Sequence, residues 1–386
     1  MTVRVDSPSD TLFTARFAGL WTFAFVAFFS AFQLLPVIPF RILQLHGSTA
    51  QAGWFLAAYT FASAFAAPVM GTIADHVGRR RALIIASIAF IAFSLAYGAI
   101  TYLPLLLAVG AIHGSIWSAI LASSSAIMSE MIPESRRAQG MAYWGLASTS
   151  AVTIAPAVGL WVFHFGGWMT LCVELAVLSA LMAIGGVLLR VVDTPRNAHT
   201  TLSIGEAWDW KVTRTALSMT MIAFGYGGIT SYSAIYAIER HVTPASIYLT
   251  TMAASMIVVR LATAHLADRF GPLRILYPAF SLVPVAFAVL VFAHTRWQTM
   301  LSAFIFGAGF GWVYPAFVTF MLNKTDPARR ARTFGSMVWA FDTGIGVGSL
   351  LVGEIGQRFG LSMGFAIAGV ISCISIPVFM FMVRRL

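Results

Sequence analysis

Charge is what this chain has least of. Only 10% of its 386 residues are Asp, Glu, Lys or Arg, and just 14 are acidic, whereas a soluble domain carries charge on about a quarter of its positions. With 59% hydrophobic residues and a mean hydropathy of +0.83, the chain cannot cover itself with a polar surface. That excludes the water-soluble classes and leaves an integral membrane protein. Cysteine is nearly missing too: Cys172 and Cys373 sit in apolar runs without metal-ligand spacing, which gives no support to disulfide, redox or metal chemistry. Period-two alternation is lacking, so a membrane barrel is excluded. No nucleotide loop, catalytic triad or metal cluster is visible. The expectation is a protein that is not an enzyme, takes no cofactor and binds no nucleic acid, despite a formal charge of +10.

What the chain does have is long apolar runs, at about 17–40, 50–70, 82–101, 103–129, 139–164, 168–190, 215–238, 243–264, 274–293, 298–322, 334–355 and 362–383. Each is near the ~20 residues a helix needs to cross a bilayer. Twelve spans follow. The first begins after a polar leader, has no small-residue cleavage site behind it, and reads as a retained span. With the N-terminus cytoplasmic, 19 of the 24 basic residues fall in cytoplasmic segments. Arg41, Arg240, Arg296 and Arg358 lie opposite, and Arg260 lies inside a span. This bias places both termini in the cytoplasm, and much of the positive charge is therefore a topology signal. The expected setting is the plasma (inner) membrane, with the lipid bilayer as surroundings and the chain as a monomer.

The chain repeats itself. "ADHVGRRRAL" at 74–83 is echoed by "ADRFGPLRIL" at 267–276, "PESRRA" at 133–138 by "DPARRA" at 326–331, and Gly114 by Gly307, all at an offset of 193. The reading is an all-α membrane protein of twelve helices in two pseudo-symmetric six-helix bundles: residues 1–191, a polar cytoplasmic linker at 192–213, and 214–386. Two homologous bundles are the layout of transporters that bind substrate between the halves near mid-bilayer.

The loop "GTIADHVGRRR" from Gly71 to Arg81 matches Gly-x-x-x-Asp-x-x-Gly-Arg-Arg/Lys, and the chain resembles the major facilitator superfamily over essentially its whole length. The second copy departs, with Ala264 for the first glycine and Pro272 after Gly271, though it keeps Asp268. The resemblance implies that Asp75 caps helix 11 and that the motif arginines pair with an acid at the end of helix 4. Gly71, Asp75, Gly78, Arg79, Arg80, Glu130 and Asp268 are thus expected to act as a conformational latch on the cytoplasmic side. In helix 5, "APAVG" from Ala155 to Gly159 resembles the motif of twelve-span drug:proton antiporters and sugar-efflux-like proteins, with Ala155 for the usual first glycine. A Pro/Gly pair bends a span and thins one face, which would suit the interface between halves. Gly110 stands where such exporters carry an arginine in helix 4, so their proton-coupling arginine is not carried over.

Ionisable groups inside spans are costly and therefore functional candidates. His113 lies about mid-span in helix 4. It either binds a proton or substrate or rests as a neutral imidazole bonded to a neighbouring helix. Asp342 and Arg260 are either a compensating pair or a proton-exchanging carboxyl with an arginine adjusting it. Glu174 in helix 6 is either a hydrogen-bonded acid or a coupling group. In the family, helices 1, 4, 7 and 10 line the cavity, which nominates Gln33, Trp117, Tyr226, Tyr232, Tyr236, Trp312 and Tyr314 beside His113. An aromatic cavity favours hydrophobic or amphiphilic small molecules. The expectation is a secondary active transporter, exporting such substrates against a proton gradient by alternating access. A carrier of a sugar or organic acid and a lipid flippase are the alternatives.

Overall fold

A run of apolar residues in lipid must satisfy its backbone internally. The computed structural model describes residues 12–133, 136–189, 210–325 and 330–384, and among them the chain is helical with no strand. The helices are α1 (Ala15–Gln44), α2 (Thr49–Val77), α3 (Arg79–Ala99) and α4 (Leu103–Met131), then one stretch, Arg137–Leu188, broken at Gly167. Its arms are α5 (137–166) and α6 (168–188). The second set is α7 (Trp210–Glu239), α8 (Ile247–Phe270), α9 (Pro272–Val291), α10 (Arg296–Asn323), α11 (Arg330–Phe359) and α12 (Leu361–Val383). Nine of the described helical stretches are long and apolar enough to cross a bilayer, and the one containing Gly167 carries two rods. This is the twelve-rod, all-α architecture expected.

Most helices overrun their apolar runs by a few polar residues, and two of them start at side-chain caps. At the start of α2, Ser48 and Gln51 form a reciprocal capping box, and Thr14 accepts from the Phe17 amide to start α1. The expected linker at 192–213 needs correction at its end: residues 210–213 belong to α7, while 192–209 lie outside the described residues.

The repeat reaches further into the backbone than the loop motifs show. Four glycines have positive φ: Gly78 (100°), Gly167 (77°), Gly271 (78°) and Gly360 (85°). They form two pairs, 78 with 271 and 167 with 360, each separated by the same 193 residues. At each of these breaks one rod ends and the next begins without a loop, a turn L side chains rarely make. The matched glycines Gly114 and Gly307 also do one job. A Cβ on Gly114 would stand 2.0 Å from the Tyr59 carbonyl oxygen, and one on Gly307 would stand 2.5 Å from that of Met252. Tyr59 and Met252 are themselves 193 apart. Backbone contact between α2 and α4 thus reappears between α8 and α10.

Between the halves, α2 packs extensively on α11, whereas α5 meets α8 only lightly. The α2–α11 seam is hydrogen-bonded at the arginine-poor end. The Ala50 amide donates to Gln357 Oε1 (3.0 Å), Trp54 Nε1 to Glu354 Oε1 (3.2 Å), the Ser349 hydroxyl to the Gly53 carbonyl (3.0 Å) and the Tyr232 hydroxyl to the Thr49 carbonyl (3.0 Å). Toward the arginine-rich end the α1 face bearing Trp21, Phe25, Phe28 and Phe29 stays half-buried, while nearly all of α1 between Ser30 and Pro39 is buried. The two halves are thus closed against each other at the arginine-poor end.

Candidate functional site

Where the halves meet at mid-depth lies a cavity of about 30 Å³, space for one or two waters. Phe32 and Leu35 of α1, Leu56, Tyr59, Thr60 and Ser63 of α2, Trp117 of α4, Tyr226 and Thr230 of α7, and Asp342 and Ile345 of α11 form its wall. The charge in that wall is the Asp342 carboxyl. No hydrogen bond or ion pair to Asp342 is found among the described residues, and the phenols of Tyr59 and Tyr314 lie close enough to feel it electrostatically. A single carboxyl among Tyr59, Trp117 and Tyr226 can hold a proton or, through charge and ring faces together, a cation.

This arrangement corrects the expected lining. Trp117 and Tyr226 are in the wall, but α2 and α11 replace α10, because the closed seam draws those two helices to the centre. Tyr232 belongs to the seam, wedged where Cβ atoms on Gly53 and Gly353 would stand 2.3 and 2.0 Å from its hydroxyl. Tyr236 hydrogen-bonds Ser362 (2.9 Å) within its own half, under the Arg240 guanidinium. The Trp312 indole donates to Thr263 (2.9 Å) between α10 and α8, and the Tyr314 ring rests on Phe341, at 4.9 Å, beside the cavity. Gln33 is fully buried against α5 and α6. It lies beside the Glu174 carboxyl, yet both amide atoms and Glu174 Oε2 lack a well-formed hydrogen bond. A Cβ on Gly159 would stand 2.5 Å from the Gln33 carbonyl oxygen, so the Pro156–Gly159 face serves α1–α5 packing inside one half rather than the interface.

The ionisable groups are placed as follows. Arg260 and Asp342 make no ion pair: Arg260 donates to the Gly311 carbonyl (2.6 Å) and lies over the Trp312 ring, which ties α8 to α10. His113 faces away from the cavity, into its own half. Its Nδ1 is 3.0 Å from the Tyr97 hydroxyl, and the rings of Phe90, Phe93, Tyr59 and Tyr97 surround it at 4.2 to 5.8 Å. Its Nε2 and the Tyr59 hydroxyl are buried without partners. Tyr59 escaped the sequence reading because it lies on α2, among aromatics with no charge to single it out.

At the arginine-rich end, Arg79 Nε donates to Asp75 Oδ1 at 2.7 Å and its Nη1 to Glu130 Oε1 at 2.6 Å, tying α2, α3 and α4 together. Arg80 does not join this carboxylate pairing. It donates to the carbonyls of Gly186 and Val187 and so caps the end of α6, as a cation at a helix C-terminus should. Asp75 makes no described hydrogen bond to α11. Gly78 has the positive φ that the turn needs, while a Cβ on Gly71 would meet Ala122 at an ordinary 3.8 Å, so no close approach is forced there. The side chain of Asp268 lies outside the described residues.

Comparison with known proteins places this geometry. The family model described as Major Facilitator Superfamily matches residues 20–326 and 215–386. An MFS-type transporter of Burkholderia mallei is 23% identical over 383 residues, covering 95% of this chain and 92% of its own. The quinolone resistance protein NorA of Staphylococcus aureus is 21% identical over 374 residues, covering 90% and 92%. Among solved structures, the nucleoside transporter NupG aligns with a TM-score of 0.74 at 15% identity, covering 96% of this chain and all of that one. An inward-facing, unoccupied bacterial homolog of the lysosomal transporter Spinster aligns at 0.77 with 14% identity, covering 98% of both. By its repeat, its two bundles and a family match spanning the described residues of both halves, the chain is a multi-pass membrane transporter of the major facilitator superfamily.

Proposed function

We propose that this transporter is a proton-coupled exporter of hydrophobic or amphiphilic small molecules, with cationic ones preferred, and that it works by alternating access in the inner membrane with both termini cytoplasmic. The observation that carries the reading is Asp342: a carboxyl without an ion-pair partner among the described residues, in the wall of an aromatic cavity shared by both halves. A buried carboxylate is costly unless a proton or a cation offsets it. Proton and cationic substrate therefore compete for one group, and that competition couples their fluxes. The likeness to NorA supports the export direction. In this arrangement the proton gradient is the driving force, and no cofactor is involved. The closed arginine-poor seam fits the substrate-loading state of an exporter. Asp75, Arg79 and Glu130 then belong to the latch that secures the arginine-rich end when the opposite side opens.

The test uses purified protein in proteoliposomes with an imposed pH gradient. Tetraphenylphosphonium, a neutral dye, uridine and a dipeptide are offered in turn. Gradient-dependent movement of tetraphenylphosphonium, abolished in Asp342→Asn, is the expected result. Transport of uridine or the dipeptide instead, or an Asp342→Asn variant with unchanged gradient dependence, overturns the reading.

A further inference from the structure

The two halves share a backbone plan but not a chemistry behind the cavity. In the N-terminal half, three polar groups line up inward from the cavity wall: Tyr59 on α2, His113 on α4 and Tyr97 on α3. Their counterparts 193 residues on are Met252, Phe306 and Leu290. Those three are fully or almost fully buried, with Phe306 packed against Phe287 and Phe310. The scaffold fills this space with hydrocarbon when packing is the whole task. Each buried polar atom left unpaired costs about 1–3 kcal/mol, and the N-terminal half keeps two of them on neighbouring rings, Tyr59 Oη and His113 Nε2.

The geometry aligns them. Gly114 lets α4 lie on the Tyr59 carbonyl, which sets the neighbouring His113 ring edge-to-face with the Tyr59 ring at 5.2 Å. With hydrogen on Nδ1 donated to the Tyr97 oxygen at 3.0 Å, the Nε2 lone pair is free to accept. The titratable groups facing His113 are the phenols of Tyr59 and Tyr97, with Cys172 beyond Tyr97. Those facing Asp342 are the phenols of Tyr59 and Tyr314, with Tyr226 in the same wall.

We propose that Tyr59 joins two proton-binding groups, Asp342 in the cavity wall and His113 in the sealed aromatic box behind it, so that the proton displaced by an arriving cation is stored on His113. This rests on the reading of Asp342 as the coupling carboxyl. The step balances. The O–H bond of Asp342 breaks and its proton passes, directly or through a cavity water, to the Tyr59 oxygen. The Tyr59 phenol, which makes no hydrogen bond to His113 in this structure, turns toward Nε2, where its O–H bond breaks and an N–H bond forms. Tyr59 ends neutral, Asp342 anionic beside the cation, and His113 cationic inside its ring of aromatics. His113 then returns the proton through Tyr59 to cavity water, which carries it out on the side the cation came from, and a proton from the opposite side reloads Asp342 after the cation leaves.

The experiment compares gradient-driven tetraphenylphosphonium transport with tetraphenylphosphonium exchange at equal pH on both sides, which needs no net proton movement. In Tyr59→Phe and His113→Gln, gradient-driven transport is expected to fall at least tenfold, with the double variant no worse than either. In His113→Gln, which lies outside the cavity wall, exchange should stay within twofold. Histidine ¹⁵N spectra of the wild type should show protonation at Nε2 on tetraphenylphosphonium addition, and the Tyr59→Phe protein should not. The spectra decide the matter if His113→Gln fails to fold. Wild-type gradient-driven rates in Tyr59→Phe, or no Nε2 protonation in the wild type, overturn the relay. If Asp342→Asn loses coupling in that same experiment, the coupling carboxyl stands and the relay alone has failed.

Discussion

The N-terminal and C-terminal bundles are the same object built twice for different ends. Both turn without a loop at matched glycines, Gly78 with Gly271 and Gly167 with Gly360. Both bring two helices into backbone contact at a matched glycine, Gly114 or Gly307. Yet the first bundle places Tyr59, His113 and Tyr97 where the second has Met252, Phe306 and Leu290. The second bundle contributes Asp342 to the cavity, where the first has Thr149, whose hydroxyl is spent on the Gly145 carbonyl at 2.9 Å. What repeats is architecture. What fails to repeat is ionisable chemistry, and it fails on both sides of one cavity.

The strongest way to break this comparison is through the shared architecture. Gly114→Ala puts a Cβ within 2.0 Å of a backbone oxygen, and Gly307→Ala within 2.5 Å of one. Backbone cannot swing aside as a side chain does, so each should force its helix pair apart at a cost of about 1–3 kcal/mol or more. Thermal unfolding in detergent should show a clear loss of Tm for both variants, larger for Gly114→Ala. If one half tolerates the added methyl and the other does not, the two contacts are not equivalent and the structural repeat is weaker than the backbone suggests.

A middle-sized effect separates architecture from chemistry. Because Phe306 fills the place in the second half that His113 fills in the first, His113→Phe should fold with little change in Tm. It removes the unpaired Nε2 but also the partner of the buried Tyr97 hydroxyl, so the two changes roughly offset. The same variant should lose most gradient-driven transport in proteoliposomes. A large fall in Tm would show that the imidazole is there for packing, and the contrast between the halves would lose its functional meaning.

Much of this organisation was legible beforehand because it depends on patterns that survive in one dimension. Apolar runs force twelve rods, arginine placement suggests their orientation, and the offset of 193 shared by two loop motifs and by Gly114 with Gly307 exposes the repeat. Gly167 with Gly360 was missed because neither sits in a charged motif; only their φ values pair them. The site was read less well. The cavity was assigned to helices 1, 4, 7 and 10, but which helices reach the centre depends on how tightly α2 and α11 are drawn together. That is a property of helix packing, invisible in span hydropathy. Tyr59 therefore carries no signal in the sequence, Tyr232 turns into the seam and Tyr236 to Ser362, and Arg260 engages Gly311 and Trp312 rather than Asp342. Depth along a helix was recoverable from the sequence; the direction a side chain points around it was not.

The smallest expected effect lies at the loop where the two halves differ by motif. The first copy is intact, and its Asp75–Arg79–Glu130 chain is formed, with Asp75 and Glu130 substantially exposed. Exposed pairs of this kind contribute about 0.2–1 kcal/mol each, so Asp75→Asn should barely move Tm. Its consequence should appear in the balance of states instead. In the present arrangement Asp75 makes no described bond to α11, so the carboxylate costs little to lose here. If it caps α11 when the arginine-rich end closes, removing it disfavours the closed form by about 0.3–1 kcal/mol, a shift of about two- to fivefold in population. A cysteine at Ser63, in a Cys373→Ser background, should then be labelled about two- to fivefold faster from the arginine-rich side in Asp75→Asn. The second copy has lost its first glycine to Ala264 and carries Pro272 after Gly271, so Asp268→Asn should change labelling less. Equal effects from the two aspartates would mean that the degraded copy still latches, and that the halves differ in their ionisable interior but not in their gates.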